Sequence, residues 1–435
     1  MKKTCILFLL CIMGETLFAQ QLVLEKVTVV SRHSVRAPLD RYLSTLDGLT
    51  GDGYQWTRWS VPGSHLTLRG GALEVLFGEY FRQWLTEEGL LTDSTKENEV
   101  YFGASSKQRT VATARSFAAG MLPLMTVPVD YRLKANSTVG FLDPDYLPLL
   151  NCTDSPDGFF DTNAFKEEAY RELGLLEAPS YAFLEKVLRM KHSKYAKEHG
   201  FSHFDGNVGV RLNFYDGDVQ QEPTMKGGLK DANMASDAFI LQYYEMENAK
   251  DAAFGRRLSA DDWKRLASVK DYYGYILFAK APIVAVNVSH RMLKRIQAEM
   301  AGKGHKFAFL CTHDSMIEAL LAALRVEPYE LPGTIEAKTP IGVKLVLEQW
   351  TETGSNAPRK YVRIRFLYQS TEQIREMKTM DTGNPPMSYG LSLQGLERAG
   401  NGMYFYDDFM DHLQSSIQAY VATAHGRHPW GQASR

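Results

Sequence analysis

Cysteine is scarce in this chain, four in 435 residues, and two of the four, Cys5 and Cys11, fall in an apolar leader. Cys152 and Cys311 alone exclude a disulfide scaffold. Cys311 follows the run Phe307-Ala308-Phe309-Leu310, which reads as a central strand, so two separate thiols are expected. An excess of charge is missing too: 49 Lys and Arg against 51 Asp and Glu leave a net charge of -2. That excludes a global basic field for nucleic acid or an anionic membrane. After the leader no segment offers the roughly 18 uninterrupted apolar residues of a membrane span, so the mature chain is not expected to be membrane-integral. Internal repeats and low-complexity tracts are absent, and Gly70-Gly71 has neither Walker nor Rossmann spacing around it.

Residues 1–19 carry Lys2 and Lys3, an apolar run from Cys5 to Met13, then Gly14 and the end Leu17-Phe18-Ala19. This is the plan of an export signal cleaved after Ala19, which predicts a periplasmic or secreted product. Cys11 follows Leu9-Leu10, which argues against a lipoprotein site. With 44% hydrophobic and 23% charged residues, the composition is that of an ordinary globular protein with a sizeable core.

Leu22 to Ser31 reads as a strand. A helix follows, capped by Thr67, with Leu73, Leu76, Phe77, Tyr80, Phe81 and Trp84 at helical spacing and Gly89 as its stop. A strand near Glu99 to Gly103 leads to a helix over Lys107 to Leu122. From 142 to 270 the pattern becomes helical pieces separated by Gly- and Asp-rich loops. The α/β pattern resumes with a helix over Pro282 to Met300, a strand over Lys306 to Leu310 and a helix over Ser315 to Leu324. Val343 to Trp350 and Tyr361 to Tyr368 alternate strongly, as antiparallel strands do. The expectation is an α/β protein with a three-layer core, a mostly parallel sheet flanked by helices, built from 20–141 and 271–435. A mainly helical domain, 142–270, is inserted into it.

Three strand ends deliver charged groups. Arg32-His33-Ser34-Val35-Arg36-Ala37-Pro38 follows the first, Arg109 the second, and His313-Asp314 the third. In open α/β sheets the ligand crevice lies at the carboxyl ends of the strands. Each group alone has an ordinary reading, as a surface charge cluster, a helix-end arginine or an N-cap pair. Together they suit phosphoryl transfer. Arg32, Arg36, Arg109 and His313 would clamp the oxygens of a phosphomonoester. His33 would attack phosphorus through one ring nitrogen while a backbone carbonyl holds the other protonated, and nearby positive charge would keep the ring neutral. Asp314 would protonate the departing oxygen. The arginines supply the charge neutralisation that a metal pair would otherwise provide, so no metal or other cofactor is expected.

These residues resemble the histidine acid phosphatases, which carry an Arg-His-x-x-Arg-x-Pro motif and a distant His-Asp pair. The likeness is strongest to the glucose-1-phosphatase group. It runs through Val61-Pro62-Gly63, Gln108-Arg109-Thr110-Val111-Ala112-Thr113-Ala114, Gln221-Glu222-Pro223, Asp237-Ala238-Phe239 and Thr339-Pro340-Ile341-Gly342. The resemblance implies an α/β core with a helical insertion and metal-free phosphomonoester hydrolysis at acidic pH. It matches His33 to the nucleophile, Asp314 to the proton donor, and Leu39 and Glu222 to substrate-facing positions. Leu39 and Glu222 make that gate less basic than a site for a highly phosphorylated inositol, which favours a small sugar phosphate; Arg41 argues the other way and keeps a phytase as the alternative. A mutase-type phosphotransferase and a noncatalytic phosphate-binding protein are the remaining readings. Departures from the family pattern are Ser34, whose side chain is expected close to the phosphate loop and able to alter it; Met316, expected to remove a polar group near the leaving-group side; and the missing cysteine pairs.

Overall fold

The computed structural model describes residues 21–134, 140–214, 222–302, 304–354 and 357–431. The export signal expected at 1–19 lies outside them.

The framework is a seven-stranded sheet. Its strands are β1 (Gln21–Arg32), β2 (Val100–Ala104), β3 (Phe307–Thr312), β4 (Lys344–Thr353), β5 (Lys360–Tyr368), β6 (Met387–Gly390) and β7 (Tyr404–Phe405). The order is β2-β3-β1-β4-β5-β6, with β7 also paired to β5. β1 is covered on both faces because its apolar residues serve each in turn. Val27 and Val29 pack with Phe77, Phe117 and Phe309 on one side, and Val30 packs with Leu310, Met292 and Ile317 on the other.

The helices that matter for the site are α1 (Asp40–Leu49), α2 (Leu68–Glu87), α3 (Gln108–Met121), α4 (Gly228–Glu245), α5 (Ala260–Gly274), α6 (Pro282–Ala301), α7 (Asp314–Ala323) and α8 (Tyr406–Ala424). α2 and α3 cover one face of the sheet, and α6, α7 and α8 the other. The three-layer α/β core is as expected, but the sheet is mixed rather than mostly parallel. Only β2, β3 and β1 pair in parallel, whereas β1 with β4, β4 with β5, and β5 with β6 and β7 are antiparallel. The reason lies in the connections: β4 and β5 are joined by a short link, which permits only an antiparallel pair, whereas parallel neighbours need a crossover.

A third apolar cluster gathers Phe165, Phe239, Tyr244 and Trp263 from the helical stretch. It also takes in Leu46 and Leu49 of α1 and Val35 from the arginine-histidine loop. The division expected at 270 falls inside α5, whose helical path continues through a π-helical turn at Tyr275–Ala279. Cys152 and Cys311 are both free thiols. Among the described residues no single helix is long and apolar enough to cross a membrane.

Candidate active site

Parallel register brings the three strand ends side by side, with Arg32 opposite Thr312 and Ala104 opposite Cys311. Beyond its last strand residue the loop stays tethered: His33 N–H donates to Thr312 O at 3.2 Å, and Gly342 N–H donates to His33 O at 3.2 Å. The start of α2 braces it from another side. Thr67 caps that helix by accepting from Gly70 N–H at 3.0 Å, and its own N–H donates to Val35 O at 3.0 Å. A Cβ at Gly70 would lie 2.2 Å from Val35 O, so the first glycine of the pair permits close packing of helix on loop. Arg109 enters in the first turn of α3, His313 is the N-cap of α7, and Asp314 is the first residue of α7.

The strand ends open on a cavity of about 640 Å³ lined by His33, Arg36, Arg109, His313 and Asp314, and also by Leu39 and Glu222. His33 Nδ1 lies 2.9 Å from Ser34 O, a carbonyl that can only accept, so Nδ1 carries the proton and Nε2 keeps its lone pair. Burial, then Arg109 and Arg36, hold the imidazole well below its ordinary range. The ring is therefore neutral. Its centroid is 5.4 Å from that of His313, edge to face.

Arg36 donates to Asp237 Oδ2 at 2.9 Å. Arg32 donates to Glu336 Oε1 at 2.6 Å and to Thr339 O at 2.5 Å, and lies 3.4 Å from Asp314 Oδ2. Burial and the neighbouring Arg36 push Arg109 down to about 10. Arg109 Nη2 reaches His313 Nδ1 at 3.4 Å, and His313 Nε2 lies 3.2 Å from Ser105 Oγ. Both His313 nitrogens are thus engaged. Burial first, then Arg109, keep this ring neutral as well. Burial alone would raise the Asp314 carboxyl, but Lys270 and Arg32 override it and hold the group well below the usual carboxylate range. Lys270 Nζ sits 2.5 Å from Asp314 Oδ2. The buried guanidinium Nε–H groups of Arg32, Arg36 and Arg109 have no hydrogen-bond partner, as is also true of Arg69, Arg256, Arg295 and Arg325 outside the cavity wall.

All the expected site residues except Arg32 line the cavity; Arg32 is sealed behind it at 1% exposure. Ser34 sits in the His33 loop as expected, and the expectation for Met316 is corrected. Ser34 is buried, its hydroxyl has no partner, and it is not among the residues lining the cavity. Met316 belongs to the apolar cluster of Val30 and Leu310 instead of the leaving-group side. Successive side chains on an extended loop or a helix point different ways, so adjacency to His33 or Asp314 places neither beside the chemistry.

Sequence reasoning missed the partners Asp237, Glu336, Ser105 and Lys270. One readable mark existed for the last. Trp263, Leu266, Ala267, Lys270 and Gly274 recur at helical spacing, which places a lysine on the buried stripe of α5.

Residues 23–367 match the family described as the histidine phosphatase superfamily (branch 2). A glucose-1-phosphatase of Salmonella typhimurium is 35% identical over 397 residues, covering 89% of this chain and 91% of that protein. Phytase AppA of Escherichia coli is 27% identical over 424 residues, with coverage of 89% and 91%. The solved structure of the apo phytase of Hafnia alvei is similar in fold, with a TM-score of 0.78 at 22% identity over 92% of this chain and 98% of that one. The match runs through all three strand ends that carry His33, Arg109 and His313, and the chain belongs to the histidine phosphatase superfamily (branch 2) as a histidine acid phosphatase.

Proposed function

We propose that the protein hydrolyses small sugar phosphates through a phosphohistidine on His33. The observation that carries this reading is a neutral imidazole, His33, whose Nε2 keeps its lone pair in a cavity wall shared with Arg36, Arg109, His313 and Asp314. The guanidinium groups of Arg36 and Arg109 in that wall can meet a phosphate dianion with charge-assisted hydrogen bonds. Arg36, Arg109 and His313 form the clamp at the cavity wall, and Arg32 adds its charge from behind them. Arrival of the dianion offsets the cations, so His313 takes a proton on Nδ1 and donates to a phosphate oxygen, and the Asp314 carboxyl regains its proton.

His33 Nε2 then bonds to phosphorus as the ester P–O bond breaks, and the Asp314 proton goes to the leaving oxygen. In the second half water attacks phosphorus, the P–N bond breaks, and the water proton returns to Asp314. Leu39 and Glu222 in the cavity wall favour a small sugar phosphate, in line with the 35% identical glucose-1-phosphatase. Arg41 and Lys107 line the same cavity and favour the second reading, an inositol polyphosphate. Residues 1–19 support export to the periplasm.

Acid-quenched labelling with a phosphate ester should trap phosphate on the wild type and none on His33→Ala. Full turnover by His33→Ala overturns the mechanism. Phosphate release from glucose 1-phosphate, phytate and an aryl phosphate across pH decides the substrate class, and a preference for phytate replaces the first reading with the second.

A further inference from the structure

Lys270 and Gly274, one turn apart on α5, face Asp314 and Glu318, one turn apart on α7. Lys270 Nζ is 2.5 Å from Asp314 Oδ2, and both side chains line the cavity. A Cβ at Gly274 would lie 2.1 Å from Glu318 Oε2, so the bare backbone there makes room for the second carboxyl. Glu318 Oε1 accepts from Thr339 Oγ1 at 3.1 Å, while Oε2 is buried with no partner. Burial pushes Glu318 up to about 8 against the pull of Lys270, so at acidic pH it is neutral and leaves Asp314 as the counterion of Lys270. Burial and Arg32 pull the Lys270 ammonium down, and Asp314, Glu336 and Asp237 more than offset them, so the lysine stays charged.

The charged and titratable groups around Asp314 come from several elements. Lys270 and Tyr273 face it from α5, Arg32 and His33 from the end of β1, Arg109 from α3, and Glu318 from its own helix. Asp271 adds a further acid beside Lys270. When a phosphate enters, it offsets the arginines, whereas Lys270 keeps its direct contact with the carboxyl.

We propose that Lys270 is the positioning residue of the proton donor: its ammonium orients Asp314 Oδ2, and its charge sets the pH above which Asp314 has no proton for the leaving oxygen. This rests on Asp314 being the donor. In the first half-reaction Lys270 steadies the carboxylate left when the proton goes to the leaving oxygen. In the second it holds that carboxylate in place to accept a proton from the attacking water.

The test is the pH dependence of kcat/KM, which ends at formation of the phosphohistidine, for a sugar phosphate and an aryl phosphate in wild type, Lys270→Met and Lys270→Arg. An opposite charge in contact lowers a carboxyl by about 1–3 pH units. Its removal lets Asp314 keep the proton to higher pH, so the alkaline limb for the sugar phosphate should move up by about one pH unit or more in Lys270→Met. Lys270→Arg should return it to the wild-type position. The aryl phosphate, whose leaving group needs little protonation, shows that the variant is folded and active and should show no such movement. An unmoved limb in active Lys270→Met overturns the proposal. If that variant does not fold, Lys270→Gln carries the same expectation and the same overturning result. Asp314→Asn separates the two levels: a loss of kcat/KM concentrated on the sugar phosphate keeps Asp314 as donor, whereas equal losses of kcat/KM on both substrates remove the donor reading and this proposal with it.

Discussion

Two lysine–carboxylate pairs flank the His33 loop, one buried behind it and one half-buried at the cavity, and their carboxyls shift in opposite directions. Behind the loop, Lys344 Nζ donates to both Glu74 oxygens at 3.0 and 2.9 Å and to Gly342 O at 2.8 Å, with neither side chain exposed. The ring of Phe77 lies 4.8 Å from the ammonium. Burial raises the Glu74 carboxyl in spite of Lys344. At the cavity, Asp314 is 24% exposed and meets Lys270 and Arg32 together, and its carboxyl is held down. A carboxyl met by two cations at the cavity edge is held down, whereas one sealed with a single cation is raised by burial. The sealed pair is closed one to one and props Gly342, which in turn holds His33 O. The open pair shares Arg32 with Glu336 and faces the cavity.

The largest effect expected from breaking this contrast is on stability. Lys344→Met strands Glu74 as an uncompensated buried acid and should lower the unfolding free energy by about 3–5 kcal/mol in urea titrations. Lys344→Met with Glu74→Leu should recover most of it, since an apolar pair of similar volume can replace a buried ion pair. A single variant as stable as wild type would mean that the sealed pair holds nothing.

A smaller effect distinguishes the carboxyls by pH. The folded Asp314 lies below its unfolded value near 3.9, so its contribution to stability is complete above about pH 5 and is lost as pH falls through the unfolded value toward the folded one. Glu74, raised in the fold, has the opposite sign and costs stability as pH rises past about 4.3. Asp314→Asn should therefore flatten the acid-side fall of unfolding free energy by about 1.4 kcal/mol per pH unit below pH ~4. An unchanged slope would show that Asp314 is not depressed in the fold.

The smallest effect sharpens which side of the loop Ser34 belongs to. Its hydroxyl is buried and partnerless on the sealed side, so Ser34→Ala should change stability by less than about 1 kcal/mol and leave KM unaltered. A large rise in KM would return that side chain to the substrate.

Much of the frame was legible because its determinants are local. The run Val27-Thr28-Val29-Val30 makes a strand, Thr67 caps the helix that braces the loop, and His313-Asp314 opens a helix straight after Phe307–Thr312. The sheet's mixed pairing was legible only in part, since alternation in β4 and β5 marks antiparallel neighbours without saying that β4 pairs with the central β1. Asp237 entered only as part of the likeness in Asp237-Ala238-Phe239, and its partner Arg36 stands 201 residues away.

By itself the sequence determined that a histidine, three arginines and a His-Asp pair sit where strands end, because strand, loop and cap signals are written in neighbouring residues. Only the tertiary structure decided which cation meets which carboxylate: Lys270 with Asp314 across 44 positions, Lys344 with Glu74 across 270, and Arg32 with Glu336 across 304. Charge acts through space, and its strength depends on the last few ångströms and on what surrounds them. Spacing along the chain carries no record of either.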